Sequence, residues 1–166
     1  ISVPADNRGF GITSDTDPVA DPELGTDDFA DIVFFMQNLA SPPRGGSQNP
    51  LVLDGELLFQ QVGCNLVHMI LQGSGGPVAA YTDLLLHDIH PLTFRGMEEP
   101  GAGAGVYLTP PLWGVSRTPP DLHDGSASTI RAAVLRHDGE ALQVRLAYQA
   151  LNQGDQMALL LFLNDL

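Results

Sequence analysis

The sequence predicts a mostly α-helical domain with long ordered loops. Apolar residues recur at helical spacing in several segments, and no segment shows the strict alternation of a half-buried strand. Most of the 18 glycines and 13 prolines fall between those segments, where they favour turns and loops. The 166 residues are 43% hydrophobic, which is enough for one domain with a core and a short extension.

The first helix is predicted from Thr26 to just before Ser41. The preceding residues 1–26 lack apolar periodicity and are rich in proline and aspartate, so they predict an extended arm. Asp27 and Asp28 suit the positive end of a helix dipole, and prolines after Ser41 disfavour helix there. One apolar face follows at helical spacing, formed by Phe29, Ile32, Val33, Met36 and Leu39.

Four more helices are predicted after a linker at residues 44–50. They cover residues 53–62, 128–136, 140–151 and 155–166, each with apolar residues at helical spacing or a polar capping residue at its start. Glycine-rich and proline-rich segments separate them, at residues 71–79, 96–105 and 106–122. Long loops in a small domain often wrap a ligand or carry a site, so a bound cofactor is expected.

The charge of the chain excludes several classes of partner. Twenty acidic residues face only seven basic ones, all arginines, and the formal net charge is −13. That balance argues against nucleic acid and anionic membrane surfaces, which need basic residues, and is compatible with a positively charged partner protein. No apolar run approaches the roughly 20 residues that span a bilayer. Because the chain starts at Ile1 without a signal peptide, we expect a mature or truncated product.

The lone cysteine, Cys64, excludes an internal disulfide and a cysteine-rich metal cluster within the chain. It lies four residues before His68 in the segment GCNLVH. A c-type haem motif is C-x-x-C-H, and here Val67 stands where the second cysteine would be. The pattern alone is weak, because a lone cysteine is usually a small buried side chain and a lone histidine usually a structural one.

The surrounding segments make the pattern more specific. They are GELLF (55–59) before GC (63–64), YTDLLLHD (81–88), LTPPLWG (108–114), LHDG (122–125) with STI (128–130), HDGEA (137–141) and LLLFL (159–163). As an ordered set over about residues 10–166, they resemble the C-terminal part of the di-haem cytochrome c peroxidase superfamily, in particular its di-haem oxidoreductase branch.

This resemblance implies a fold, a domain division and a reaction. Residues 51–166 would be a cytochrome c-like domain whose first and last helices cross and close a haem crevice. Residues 1–50 would be the arm, helix and linker left from a preceding haem domain. That family reduces hydrogen peroxide, or performs a related oxidation, at its first haem and passes electrons through the second. The chain would be the electron-transfer half.

The resemblance also implies a ligand set. Haem c would be tethered by one thioether through Cys64, and His68 would be the proximal iron ligand. The family's His-Asp-Met-Gly block is HDIH (87–90) here, so His90 becomes the expected distal ligand, with His87 and Met97 as further candidates.

Three other residues received structural or packing roles. Trp113 is expected near the haem edge or in the core. His123 is expected to fix its loop by hydrogen bonding. His137 ends a predicted helix, where a cation suits the dipole, and is interpreted as structural.

Two functions of different kinds remain open, beside a third possibility that the chain is one fragment of a proteolysed peroxidase whose other fragment stays bound. The first is one-electron transfer by an extracytoplasmic c-type haem domain with a redox partner protein, with peroxidase activity only if the iron keeps an open site. The second is a haem-free accessory subunit of a larger assembly. In that case Phe34, Phe35 and Met36 would form a partner surface, because they would otherwise leave an apolar patch exposed.

Overall fold

The computed structural model describes residues 24–40, 42–44, 48–90, 96 and 101–166. Residues 1–23 of the predicted arm lie outside them. The chain forms two compact units, residues 1–40 and 41–166. The division after residue 50 in the sequence analysis stays a prediction. Within the described ranges, no helix combines the length and apolarity needed to cross a membrane.

The first unit contains helix α1, Thr26–Gln37, as predicted. Gly25 is its N-cap, and Asp27 and Asp28 occupy the first turn. The helix ends at Asn38, whose side-chain Nδ2 donates to the carbonyl of Phe34 at 2.8 Å. No residue of α1 is buried, so its large apolar side chains all face outward.

The second unit contains the other four predicted helices, and the mostly α fold class is confirmed. They are α2 Pro50–Gln61, α3 Ile130–Arg136, α4 Leu142–Ala150 and α5 Gln153–Asp165. Helix α2 begins at Pro50, before the predicted residue 53, because Asn49 caps it and proline suits the first helical position. Three single-turn 3₁₀ helices connect the elements, at Cys64–Leu66, Val115–Arg117 and Gly139–Ala141.

The core forms where α2 and α5 pack together. Gly55 permits this close approach, because a Cβ there would lie 2.0 Å from the carbonyl oxygen of Ala158. The rings of Phe59 and Phe162 meet beside it, with centroids 5.2 Å apart. Tyr148 from α4 is fully buried in the same core.

Two small antiparallel strand pairs accompany the helices among the described residues. Strands β1 Leu71–Gly73 and β2 Gly76–Val78 pair with each other, as do β3 Leu86–Asp88 and β4 Val106–Leu108. Each strand has three residues, which is too short for an alternating pattern to stand out.

Candidate functional site

The Cys64–His68 turn follows α2 directly. Gly63 adopts a left-handed conformation with φ of 95°, which a residue with a side chain rarely adopts, and so lets the chain leave the helix. The turn closes with a hydrogen bond from the His68 amide to the Cys64 carbonyl at 3.0 Å. One turn of chain therefore separates the thiol from the imidazole.

His68 is held as a neutral imidazole. Its Nδ1 lies 3.0 Å from the carbonyl oxygen of Tyr81. Since a carbonyl only accepts, Nδ1 carries the proton and Nε2 keeps its lone pair. Burial lowers the pKa of His68 to about 4, although the Tyr81 carbonyl acts in the opposite direction. A neutral imidazole with Nδ1 on a carbonyl is the usual state of a metal-ligating histidine.

Cys64 is partly buried and packs against the core. Burial raises the pKa of its thiol to about 12, so it is fully protonated at neutral pH. A buried, protonated thiol is a poor nucleophile and resists oxidation. Val67, in the place of a second cysteine, is also partly buried.

His137, which the sequence analysis interprets as a structural residue at a helix end, is a further candidate. It caps the C-terminus of α3, and its Nδ1 lies 2.7 Å from the carbonyl oxygen of Ala133. Burial lowers its pKa, and the charge of Arg145 adds to that effect. The expected helix-end cation is therefore a neutral imidazole at neutral pH.

The charges of His137 and of His87 also lower the pKa of His68, after the larger effect of burial. His68 and His137 are alike in having Nδ1 on a backbone carbonyl and a lowered pKa. The sequence signal for His137 was its place at the start of the HDGEA segment, but its burial depends on the fold.

His90 lies in a different polar cluster. It is buried, and its Nε2 lies 3.0 Å from Nδ1 of His123. The ring of Tyr107 stacks on that of His123 with centroids 3.8 Å apart. Burial lowers the pKa of His90, and the nearby His123 adds to the effect. The nitrogen that His90 would offer to iron is thus directed at another histidine.

His87 uses both ring nitrogens on carboxylates. Its Nε2 lies 2.7 Å from Asp83, and its Nδ1 lies 2.8 Å from Glu140. Hydrogen bonds to Glu140 and Asp83 raise its pKa. Glu140 also accepts from the amide of Asp88 at 3.2 Å. His87 therefore joins β3 to the turn that follows His137.

The remaining candidates are Trp113 and Met97. Trp113 is half-buried, and its indole nitrogen donates to the carbonyl of Ala79 at 2.6 Å. Met97 lies outside the described residues. In the part of the chain that the structure describes, no three His, Cys, Asp or Glu side chains are grouped so that they could hold a metal ion.

Comparison with known proteins places the chain in a family. The model of the family described as "Di-haem oxidoreductase, putative peroxidase" matches residues 5–166. The chain therefore belongs to the di-haem oxidoreductases, a redox family, and the resemblance seen in the sequence is confirmed.

A search of solved structures matches hydrazine synthase from Kuenenia stuttgartiensis, determined under xenon pressure, with a TM-score of 0.60 and 18% sequence identity. The match covers 86% of this chain and 56% of that one, so the chain spans little more than half of that neighbour's length. At this identity the likeness shows the fold alone. A search of curated proteins finds no match.

The residues at the turn fit a haem. His68 and His137 are neutral, and the carbonyl partner of each Nδ1 leaves Nε2 as the nitrogen with a lone pair. Cys64 offers one thiol within the same turn as His68. Large apolar side chains within and directly after this turn in the sequence are solvent-exposed, as expected for a surface that a flat apolar ligand would cover: Leu66, Met69 and Ile70.

Proposed function

We propose that residues 51–166 form a one-electron-transfer domain that holds a single c-type haem. Cys64 would tether it by one thioether, and His68 and His137 would be its axial ligands. The observation that supports this most is the His68 imidazole, which has Nδ1 on a backbone carbonyl and lies a single turn from the only thiol.

We prefer His137 to the other distal candidates because of what each ring nitrogen contacts. His87 has both nitrogens on carboxylates, and His90 directs Nε2 at His123. Either would have to break those contacts before binding iron. His137 needs no such change, since its Nδ1 bond to Ala133 leaves Nε2 available.

The proposed ligands favour electron transfer over peroxide reduction. When bound, a haem supplies a one-electron iron couple. If His68 and His137 both held the iron, no ligand position would be left for peroxide. Histidine in place of methionine lowers the potential, because methionine–histidine ligation raises it. His68 and His137 would thus lower the reduction potential of the haem and keep peroxide from its iron.

The test is a visible spectrum and an intact mass, recorded on protein from a host that matures c-type haem. We expect a low-spin haem spectrum and a denatured mass that includes haem. His137→Ala should give a high-spin spectrum and peroxide-dependent dye oxidation, whereas the matched control His123→Ala should stay low-spin. A low-spin spectrum that persists in His137→Ala and is lost in His90→Ala would overturn the ligand assignment.

A second candidate function is a haem-free accessory subunit. Helix α1 supports it, because Phe34, Phe35 and Met36 are 67%, 61% and 63% exposed. Apolar side chains exposed together on one helix usually pack on another protein surface. A folded chain with no haem absorption and the bare polypeptide mass, from the same host, would favour this function over the first.

The partner and location follow from the same proposal. We infer that the domain is extracytoplasmic, as expected for a c-type haem protein. We also infer that its redox partner is positively charged, since the net charge of this chain is −13. Opposite charges speed encounter, and salt screens them. The rate of electron transfer to a basic partner should therefore fall as ionic strength rises. A rate independent of salt would count against this partner chemistry.

A further inference from the structure

Tyr81 holds an unusual backbone conformation in the core. Its φ is 54°, in the left-handed region that bulky residues rarely adopt, and only 5% of it is exposed. Such a conformation is strained and persists only where surrounding contacts fix it. An observed outlier of this kind points to a role for the residue.

The backbone of Tyr81 meets the proposed proximal ligand. Its carbonyl oxygen is the partner of His68 Nδ1 at 3.0 Å. The direction of this carbonyl depends on the backbone angles of Tyr81. The left-handed conformation is therefore directly linked to the orientation and tautomer of the His68 ring.

The side chain of Tyr81 supplies contacts that can fix the backbone. Its ring meets those of Phe59 and Phe162 edge-on, with centroids 6.1 and 5.7 Å away. Its hydroxyl donates to Glu56 Oε1 at 3.3 Å. Both phenylalanines and Glu56 belong to α2 or α5, so Tyr81 is anchored to the two packed helices.

Glu56 is itself fixed by an arginine. Arg44 Nη1 donates to Glu56 Oε2 at 3.2 Å, and Arg44 Nε donates to Asp165 at 3.2 Å. The guanidinium also lies over the ring of Phe162, 5.2 Å from its centroid. This chain of contacts runs from α5 through Arg44 and Glu56 to the hydroxyl of Tyr81.

We propose that Tyr81 is a positioning residue for His68, anchored through Glu56 and Arg44. Its side-chain contacts hold the left-handed backbone, and its carbonyl fixes the Nδ1–H tautomer and the ring plane of His68. A carbonyl on Nδ1 makes an imidazole a stronger donor to a metal. This inference rests on the proposed role of His68, but its first test needs no haem.

The first test is the tautomer of His68 in the haem-free protein, read by nitrogen-15 NMR. Wild type should show the Nδ1–H form, and Tyr81→Phe should show a mixture of both tautomers. Tyr148→Phe is the matched control, because Tyr148 is also buried and its hydroxyl has no hydrogen-bond partner among the residues described. Its His68 signal should match wild type.

Two further variants keep the proposal testable if Tyr81→Phe does not fold. Glu56→Gln keeps an oxygen for the hydroxyl but loses the ion pair with Arg44, so its share of the second tautomer should lie between those of wild type and of Glu56→Leu, which removes both contacts. In haem-loaded protein, the variants with a mixture of His68 tautomers should show a raised reduction potential. An unchanged tautomer in both Tyr81→Phe and Glu56→Leu would overturn the proposal. Failure to bind haem would instead count against the proposed function alone.

Discussion

Replacing Gly55 with alanine tests the close packing of α2 on α5. The new Cβ would lie 2.0 Å from the carbonyl oxygen of Ala158, 2.6 Å from its carbonyl carbon and 2.9 Å from Cβ of Phe162. Since unbonded atoms of these types need more than about 3 Å, the helices must separate by roughly 1 Å, and the obstacle is backbone that cannot rotate away. Overpacking of a core costs about 1–3 kcal/mol or more. The better helix propensity of alanine offsets about 1 kcal/mol of it.

We therefore expect Gly55→Ala to lower the free energy of unfolding by about 2 kcal/mol, which corresponds to a fall in Tm of about 6–10 °C for a unit of this size. Urea and thermal unfolding followed by circular dichroism measure both quantities. Gly75→Ala is the matched control, because a Cβ there meets nothing within 4 Å. It should change stability by less than about 0.5 kcal/mol. Equal stability of the two variants would refute the close helix contact.

Three further predictions concern other contacts. The pKa of His87 is raised in the folded state, so its ion pair with Glu140 stabilises the fold fully below about pH 6.5 and is lost as pH rises through the folded-state pKa. The urea midpoint of wild type should therefore fall over that pH range more than the midpoint of His87→Gln. Thr129→Ala should cost about 1 kcal/mol in thermal unfolding, because its hydroxyl caps α3 at 3.1 Å, and Ser128→Ala should cost little. Thr82→Val should cost about 2–3 kcal/mol, since its buried hydroxyl donates to one backbone carbonyl at 2.6 Å and accepts from one amide at 2.9 Å, and Thr82→Ser should restore most of it.

The helices could be predicted because their signals are local. Apolar spacing and capping residues such as Thr129 and Asn152 indicate where a helix begins, and the structure has a helix at each predicted place. The strand pairs could not be predicted, because three residues are too few for an alternating pattern to stand out. For β3 and β4 the partners are also distant in sequence, since Leu86 pairs with Leu108.

The site was predictable only in part, for the same reason. Cys64 and His68 were found because their spacing is local and belongs to a known motif. Tyr81 was quoted within a family segment, but its left-handed φ and its carbonyl bond to His68 appear only once α2 and α5 have packed. A role that depends on contacts between segments distant in sequence is hard to predict from a single sequence.

The roles of the five histidines depend on which groups their ring nitrogens contact, and residue identity alone does not reveal those groups. Two carboxylates hold His87 toward the charged form, which iron does not bind. His90 and His123 share a hydrogen bond between ring nitrogens. His68 and His137 each have a backbone carbonyl on Nδ1 and a lowered pKa, so each is neutral with Nε2 as the basic nitrogen. Under the proposed function these two histidines are the candidates to hold the iron, and His137→Ala should then change the spin state of a bound haem.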